Sequence, residues 1–358
     1  MKRKIALLNL QVDANFGGHL QRFALITILQ RSGYEVIHLN TRFSSAYKSK
    51  FKLFKGGFKR LILYPYIAIF RRKQCVPFRY FKYYLKHEPI TEVFYDKYVP
   101  ATKRIYTKEQ LSKYSNYDTY IVGSDQVWRK CYSANYGIFT FLLDFVSNSN
   151  NKIVYGASFG TDKNELTNVE IERFRALYAK FSNVSVREFS ALNLLKSYGC
   201  LSPEAEMVLD PTLLLTKEDY NAVINSAFTK PLHRKIFCYI LDLSPQKLDV
   251  IHTISRDKQM DFTLWCSDKN YTVEQWLRSF RDAEYIITDS YHGLLFSLIF
   301  NKKFRLLYNE GRGNARFDSV IKMLGIKTEK EEQDYSQIEK EILKQREKSI
   351  NFIINSLV

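Results

Sequence analysis

Ile5-Ala6-Leu7-Leu8-Asn9-Leu10, then Asp13-Ala14-Asn15-Phe16-Gly17-Gly18, then Tyr34-Glu35-Val36-Ile37-His38-Leu39 set the first fold decision in this chain. The opening apolar run has the length of a strand, and the paired glycines make a turn. Leu20, Phe23, Ala24, Ile26, Thr27 and Leu29 then recur at helical spacing before the second strand-like run at Tyr34–Leu39. Strand, glycine turn, helix and strand in forty residues predict a βαβ unit opening a doubly wound sheet.

The same alternation resumes further along. A strand over Thr119–Val122 runs into Gly123-Ser124-Asp125-Gln126-Val127-Trp128, and one over Lys152–Tyr155 runs into Gly156-Ala157-Ser158-Phe159-Gly160. A helix near Glu165–Phe181 leads to strand Asn183–Val186, then Arg187-Glu188 and helix Phe189–Tyr198. Met207-Val208-Leu209-Asp210-Pro211-Thr212 reads as a crossing segment. A second set follows, with strands Ile236–Leu241, Phe262–Trp265, Tyr285–Thr288 and Phe304–Leu307 between helices, and a charged helix from about Lys330. Two sets of alternating elements in 358 residues predict an α/β chain of two Rossmann-like domains facing a cleft. The expected division is 1–205 with an insert at 41–90, then 206–330. The helix of 331–358 has one natural place back against the N-terminal domain.

Charge is unevenly placed. Between Thr41 and His87 there are thirteen Lys or Arg and no Asp or Glu, so this stretch carries most of the net +17. Its centre, Leu61–Phe70, is apolar and Tyr-bearing, which suits an anionic membrane surface, at about 1 kcal/mol per basic residue. A solvated basic arm is the plainer reading. Nucleic acid is disfavoured as a partner, because no recognised binding motif accompanies the patch. The five cysteines are scattered without a CxxC pair, which argues against a zinc knuckle or redox dithiol. Ile5–Leu10 is too short for a signal-peptide core, so a cytoplasmic protein is expected, peripheral on the inner membrane face if the insert binds there.

Four strand-end motifs are chemical candidates. Thr288-Asp289-Ser290-Tyr291-His292-Gly293 joins an apolar strand to an apolar helix, so backbone N–H groups there favour an anion. His292 beside that dipole favours its neutral form and suits a proton carrier, with Asp289 and Ser290 at its side; a histidine capping a helix in a buried loop is the plainer reading. Arg187 ends another strand and has the fork to grip a carboxylate or phosphate; a surface pair with Glu188 is its plainer reading. Asn15, Gly17 and Gly18 either allow close approach to a ligand at a helix start, without the GxGxxG or GxxxxGK[ST] pattern, or simply make a tight turn. Gly311-Arg312-Gly313-Asn314-Ala315-Arg316 follows the last strand, where Arg312 or Arg316 faces either the cleft or solvent. No DxD, HExxH or Gly-x-Ser-x-Gly motif is present, and no metal is expected.

Taken in order, these motifs resemble the polysaccharide pyruvyl transferase family. The matching elements are Asn15-Phe16-Gly17-Gly18 with Leu20-Gln21, Gly123–Trp128, Ala157-Ser158-Phe159-Gly160, Ser185-Val186-Arg187-Glu188, Leu209-Asp210-Pro211-Thr212 and Thr288–Gly293. The resemblance implies a GT-B-like pair of domains and transfer of a pyruvyl group from phosphoenolpyruvate to two sugar hydroxyls as a cyclic ketal, with no further cofactor. By similarity His292 is the acid/base and Arg187 an anion grip. Asn15, Gly17, Gly18, Ser124, Asp125, Ser158, Asp289, Ser290, Arg312 and Arg316 become candidate substrate-binding residues. Some members carry Arg where this chain has Ser290, so Arg312 or Arg316 is the candidate replacement. The implied acceptor is a saccharide, free or lipid-linked. The alternatives are a GT-B glycosyltransferase using a nucleotide sugar and a non-catalytic membrane-docked subunit.

Overall fold

The computed structural model describes residues 4–42, 90–133, 136–147, 149–232, 235–265, 271–308, 315–328 and 332–357. The basic insert, apart from its edges, and Arg312 lie outside the described residues.

Two parallel sheets organise these residues. The first carries β1 (Lys4–Leu8), β2 (Glu35–His38), β3 (Thr119–Val122), β4 (Asn151–Ala157), β5 (Asn183–Val186) and β6 (Ala205–Met207), in the order β2-β1-β3-β4-β5-β6. The second carries β7 (Ile236–Tyr239), β8 (Phe262–Trp265), β9 (Tyr285–Thr288) and β10 (Lys303–Leu306), in the order β10-β9-β7-β8. Ile5 pairs with Val36 on one side and Thr119 on the other, which sets the register at the sheet's centre. Every residue of β3, β7 and β9 is buried. That is why these strands read as unbroken apolar runs rather than alternating ones. β6 was not foreseen as a strand. It has three residues, none fully buried, so no apolar run marked it.

The helices α1 (Phe16–Arg31), α2 (Asn168–Tyr178), α3 (Phe189–Ser197), α4 (Lys217–Asn225), α5 (Pro245–Asp257), α6 (Val273–Asp282), α7 (Tyr291–Ile299), α8 (Ala315–Leu324) and α9 (Tyr335–Asn355) cover the sheets. α7 is buried on every residue, and α1 buries even His19, Gln21 and Arg22. These two helices lie where the two halves meet: one continuous core runs from Ile5, Leu20 and Leu25 to Trp276, Leu294 and Phe296. A second core around Tyr120, Trp128 and Phe174 covers the other face of the first sheet. The smaller cluster of Ile236, Cys238, Ile251 and Ile287 backs the second sheet. The halves are thus two Rossmann-like doubly wound layers.

α9 ties the crossing segment down. Arg346 donates from Nε to Leu213 O at 2.8 Å and from Nη2 to Leu215 O at 3.1 Å. Leu209 N donates to Ser349 Oγ at 2.9 Å, and Asn151 Nδ2, at the start of β4, donates to Ser356 O at 3.0 Å.

Candidate active site

The first sheet contributes its strand ends. β5 delivers Arg187, 2% exposed, whose Nη2 donates to Asp125 Oδ1 at 2.5 Å and Nη1 to Asp210 Oδ2 at 2.6 Å. Asp125 sits in the loop after β3 with φ of +80°, a left-handed conformation that Asp tolerates better than most residues. The neighbouring Ser124 hydroxyl is engaged elsewhere, donating to Gly156 O at 2.8 Å and fixing the β3 loop to β4. Asp210 is shared further. Its Oδ2 accepts from Gln21 Nε2 on α1 at 2.7 Å, and its Oδ1 accepts from Thr212 N at 3.1 Å and Thr212 Oγ1 at 2.8 Å. Glu188 faces the loop after β4, where Oε1 accepts from Phe159 N at 3.0 Å and Gly160 N at 3.2 Å.

The second sheet contributes the turn between β9 and α7. Ser290 caps α7, its Oγ accepting from Gly293 N at 3.4 Å. A Cβ on Gly293 would fall 2.1 Å from Thr288 Oγ1, so only glycine closes this turn. His292 follows, 8% exposed, with Nε2 4.0 Å from Asp210 Oδ2. Its ring lies against α1 of the other half: a Cβ on Gly17 would fall 2.1 Å from His292 Nδ1. The Tyr291 ring has the Arg187 guanidinium carbon 5.0 Å and the Arg316 guanidinium carbon 5.2 Å from its centroid. Two cations on one buried ring is an arrangement of favourable cation–π contacts.

These contacts set the charges. Burial alone would raise the Asp125 carboxyl, but Arg187, Arg316 and His292 hold it at about 2. Asp210 is likewise lowered: burial opposes ionisation, and Arg187 and His292 prevail. His292 is lowered, first by burial and then by Arg187 and Arg316, against the pull of Asp210 and Asp125. It is therefore neutral near pH 7 and ready to accept a proton. Burial raises Glu188. Burial and the neighbouring Arg187 lower Arg316.

Of the residues singled out from sequence, Arg187, Asp125, Arg316, His292 and Gly17 come together in one buried cluster. Asn15 caps α1, accepting from Gly18 N at 3.4 Å, and Gly18 opens the first turn beside it. Ser158 is fully buried behind the β4 loop. Asp289 turns away from the cluster: it accepts from Leu241 N at 2.6 Å, Asp242 N at 3.1 Å and Lys247 Nζ at 2.6 Å, so it braces the loop after β7. From sequence, Arg187 is either a gripper of substrate or a surface partner of Glu188. The structure instead has both Nη atoms on Asp125 and Asp210, with Glu188 Oε2 3.9 Å from Nε. Asp210, Gln21 and Tyr291 were not picked as site residues. Their one sequence signal was membership of the ordered motifs. Among the described residues, no three His, Cys, Asp or Glu are grouped to hold a metal.

Gly17→Ala tests the contact across the halves. Alanine suits a helix better than glycine, yet here its methyl occupies the His292 ring. We expect kcat to fall, with overpacking costing about 1–3 kcal/mol of stability. Unchanged kcat and melting temperature would show that the ring does not abut Gly17.

Acid should destabilise the fold. Burial depresses His19 to about 3 and lowers His38 and His292 as well. The unfolded chain takes up these protons as pH falls below about 6.5, whereas the folded chain does not, so stability is lost from there downward. His19 alone should remove about 2 kcal/mol between pH 7.5 and pH 5. Denaturant titrations at the two pH values check this, and equal unfolding free energies would contradict it.

The profile of the polysaccharide pyruvyl transferase family matches residues 15–311. No curated protein sequence matches the chain. Among solved structures it is similar to UDP-GlcNAc 2-epimerase from Methanocaldococcus jannaschii, with a TM-score of 0.50, 11% identity, and coverage of 95% of this chain and 92% of that one. It is also similar to UDP-GlcNAc 2-epimerase from Neisseria meningitidis bound to UDP-GlcNAc, with a TM-score of 0.45, 10% identity, and 99% of each chain covered. An alpha-glucosyltransferase in complex with UDP gives 0.43, 10%, and coverage of 98% of this chain and 95% of that one. At these identities the likeness is one of fold, and the architecture is GT-B-like.

Proposed function

The chain belongs to the polysaccharide pyruvyl transferase family, and from that premise we propose that it moves a pyruvyl group from phosphoenolpyruvate onto two hydroxyls of a saccharide as a cyclic ketal. The observation that carries this reading is the buried meeting of Arg187, Arg316, Asp125, Asp210 and His292 from both halves. Such a transfer needs a proton for the enol carbon, cationic hold on a carboxylate and a phosphate, and a base for the attacking hydroxyls.

In this reading His292 moves the proton. Neutral at pH 7, it takes a proton from an attacking hydroxyl, and the carboxylates of Asp210 and Asp125 stabilise its cation. Arg187 acts through its neighbours: it fixes Asp125 and Asp210, which in turn set the charge around His292. Arg316, on the same aromatic ring, supplies cationic field for the donor in a chain that has Ser290 at the turn. Solvent is largely kept from the cluster, which strengthens each of these interactions.

No helix among the described residues is long and apolar enough to cross a membrane. Incubation with phosphoenolpyruvate and a candidate glycan should release inorganic phosphate and leave an acid-labile ketal. Release of a nucleoside diphosphate from a nucleotide sugar instead would assign the chain to glycosyl transfer.

A further inference from the structure

Arg22 lies one helical turn below Gly18 on α1 and is 2% exposed. Its Nη2 donates to Leu10 O and Gln11 O, while Nε and Nη1 have no hydrogen-bond partner among the described residues. A guanidinium does not give up its proton at physiological pH, so a buried cation stands here with most of its donors unanswered. Burial is the main influence lowering it; Tyr95, Asp13 and Asp125 pull the other way, and Arg42 adds repulsion.

What lies beside it suits an anion. A Cβ on Gly18 would stand 3.3 Å from Arg22 Nη1 and 3.7 Å from the Asn15 amide, so both side chains border Gly18. Gly18 is half-buried and Asn15 is exposed, so this end of the helix is reachable. Phe16 and Gly17 begin a helix of 16 residues, and first-turn N–H groups have no acceptor within their own helix. The positive end of the helix dipole adds to the field. Gly17 touches the His292 ring, so an anion held here lies next to the proton carrier.

We propose that Arg22, the Asn15 side chain and the first turn of α1 form a subsite for the phosphate of the donor. The subsite is distinct from the cluster of Arg187, Tyr291 and Arg316. The assignment to the donor rests on the pyruvyl-transfer reading, whereas the subsite itself is tested with inorganic phosphate.

Thermal unfolding of the full chain in phosphate and in chloride at matched ionic strength is the first measurement. Wild type should be stabilised by phosphate. Arg22→Met should lose that response, read against its own melting temperature without phosphate, because the substitution also strands Leu10 O and Gln11 O. Gly18→Leu sets a bulky side chain against Arg22 and Asn15 and should also lose the response. No phosphate effect on wild type, or a full effect in either variant, overturns the subsite; if Arg22→Met does not fold, Gly18→Leu decides. Titration with phosphoenolpyruvate should then be about tenfold to a hundredfold weaker in Arg22→Met, with pyruvate binding unchanged. An Arg22-dependent phosphate response in a protein that ignores phosphoenolpyruvate keeps the subsite and overturns its assignment to the donor.

Discussion

Arg187→Leu should lose about 3–5 kcal/mol of folding stability, the cost of leaving buried carboxylates without their cation. The reason lies in the contacts: Nη1 and Nη2 engage Asp210 and Asp125 at 2.6 Å and 2.5 Å, and neither carboxylate is exposed enough for water to replace them. Asp210 keeps Gln21 and Thr212, but these are neutral donors. Arg187→Lys should recover only part of the loss, because an ammonium cannot span two carboxylates with a planar fork. Adding Asp125→Asn to Arg187→Leu should restore some stability by removing one stranded charge. Equilibrium denaturation of the three variants checks this. A loss below about 1 kcal/mol in Arg187→Leu would place the pair in solvent, where such pairs contribute little.

His292→Ala should retain the fold and lose turnover by about 10²–10⁴-fold, the usual contribution of a positioned acid or base. Its Nε2 has no hydrogen-bond partner among the described residues, so no hydrogen bond from that nitrogen is broken. The ring does fill space against Gly17, and its loss carries a cavity cost smaller than that of Arg187→Leu. In wild type, the acid limb of kcat/KM should lie below pH 6.5, because burial, Arg187 and Arg316 lower His292. Rates come from phosphate release driven by phosphoenolpyruvate in the presence of glycan. Wild-type turnover by His292→Ala would remove this residue from the chemistry.

The alternation of strands and helices was legible because parallel strands buried on both faces are written as apolar runs. β3, β7 and β9 are of that kind. β6 was not legible, since Ala205-Glu206-Met207 buries too little to leave a pattern. The turn at His292 could be read as a site from its own residues, but its surroundings could not. Asp125, Arg187 and Asp210 are far apart in sequence, with 62 and 23 residues separating the bonded pairs. Nothing local showed that Arg187 is buried rather than paired with Glu188 at the surface. Arg22 is harder still: a basic residue on a helix reads as solvated, and only its packing against the segment after β1 and Tyr95 buries it. Asp289 misled in the other direction, because its place beside His292 in the chain suggested a shared role, whereas its carboxylate faces the loop after β7.

In the pyruvyl-transfer reading the buried cluster handles phosphoenolpyruvate rather than a nucleotide sugar. Calorimetric titration of the intact protein with phosphoenolpyruvate and, separately, with UDP tests it most directly. Phosphoenolpyruvate should bind saturably, and more weakly to Arg316→Gln, and UDP should not bind. Saturable UDP binding with no response to phosphoenolpyruvate would contradict it.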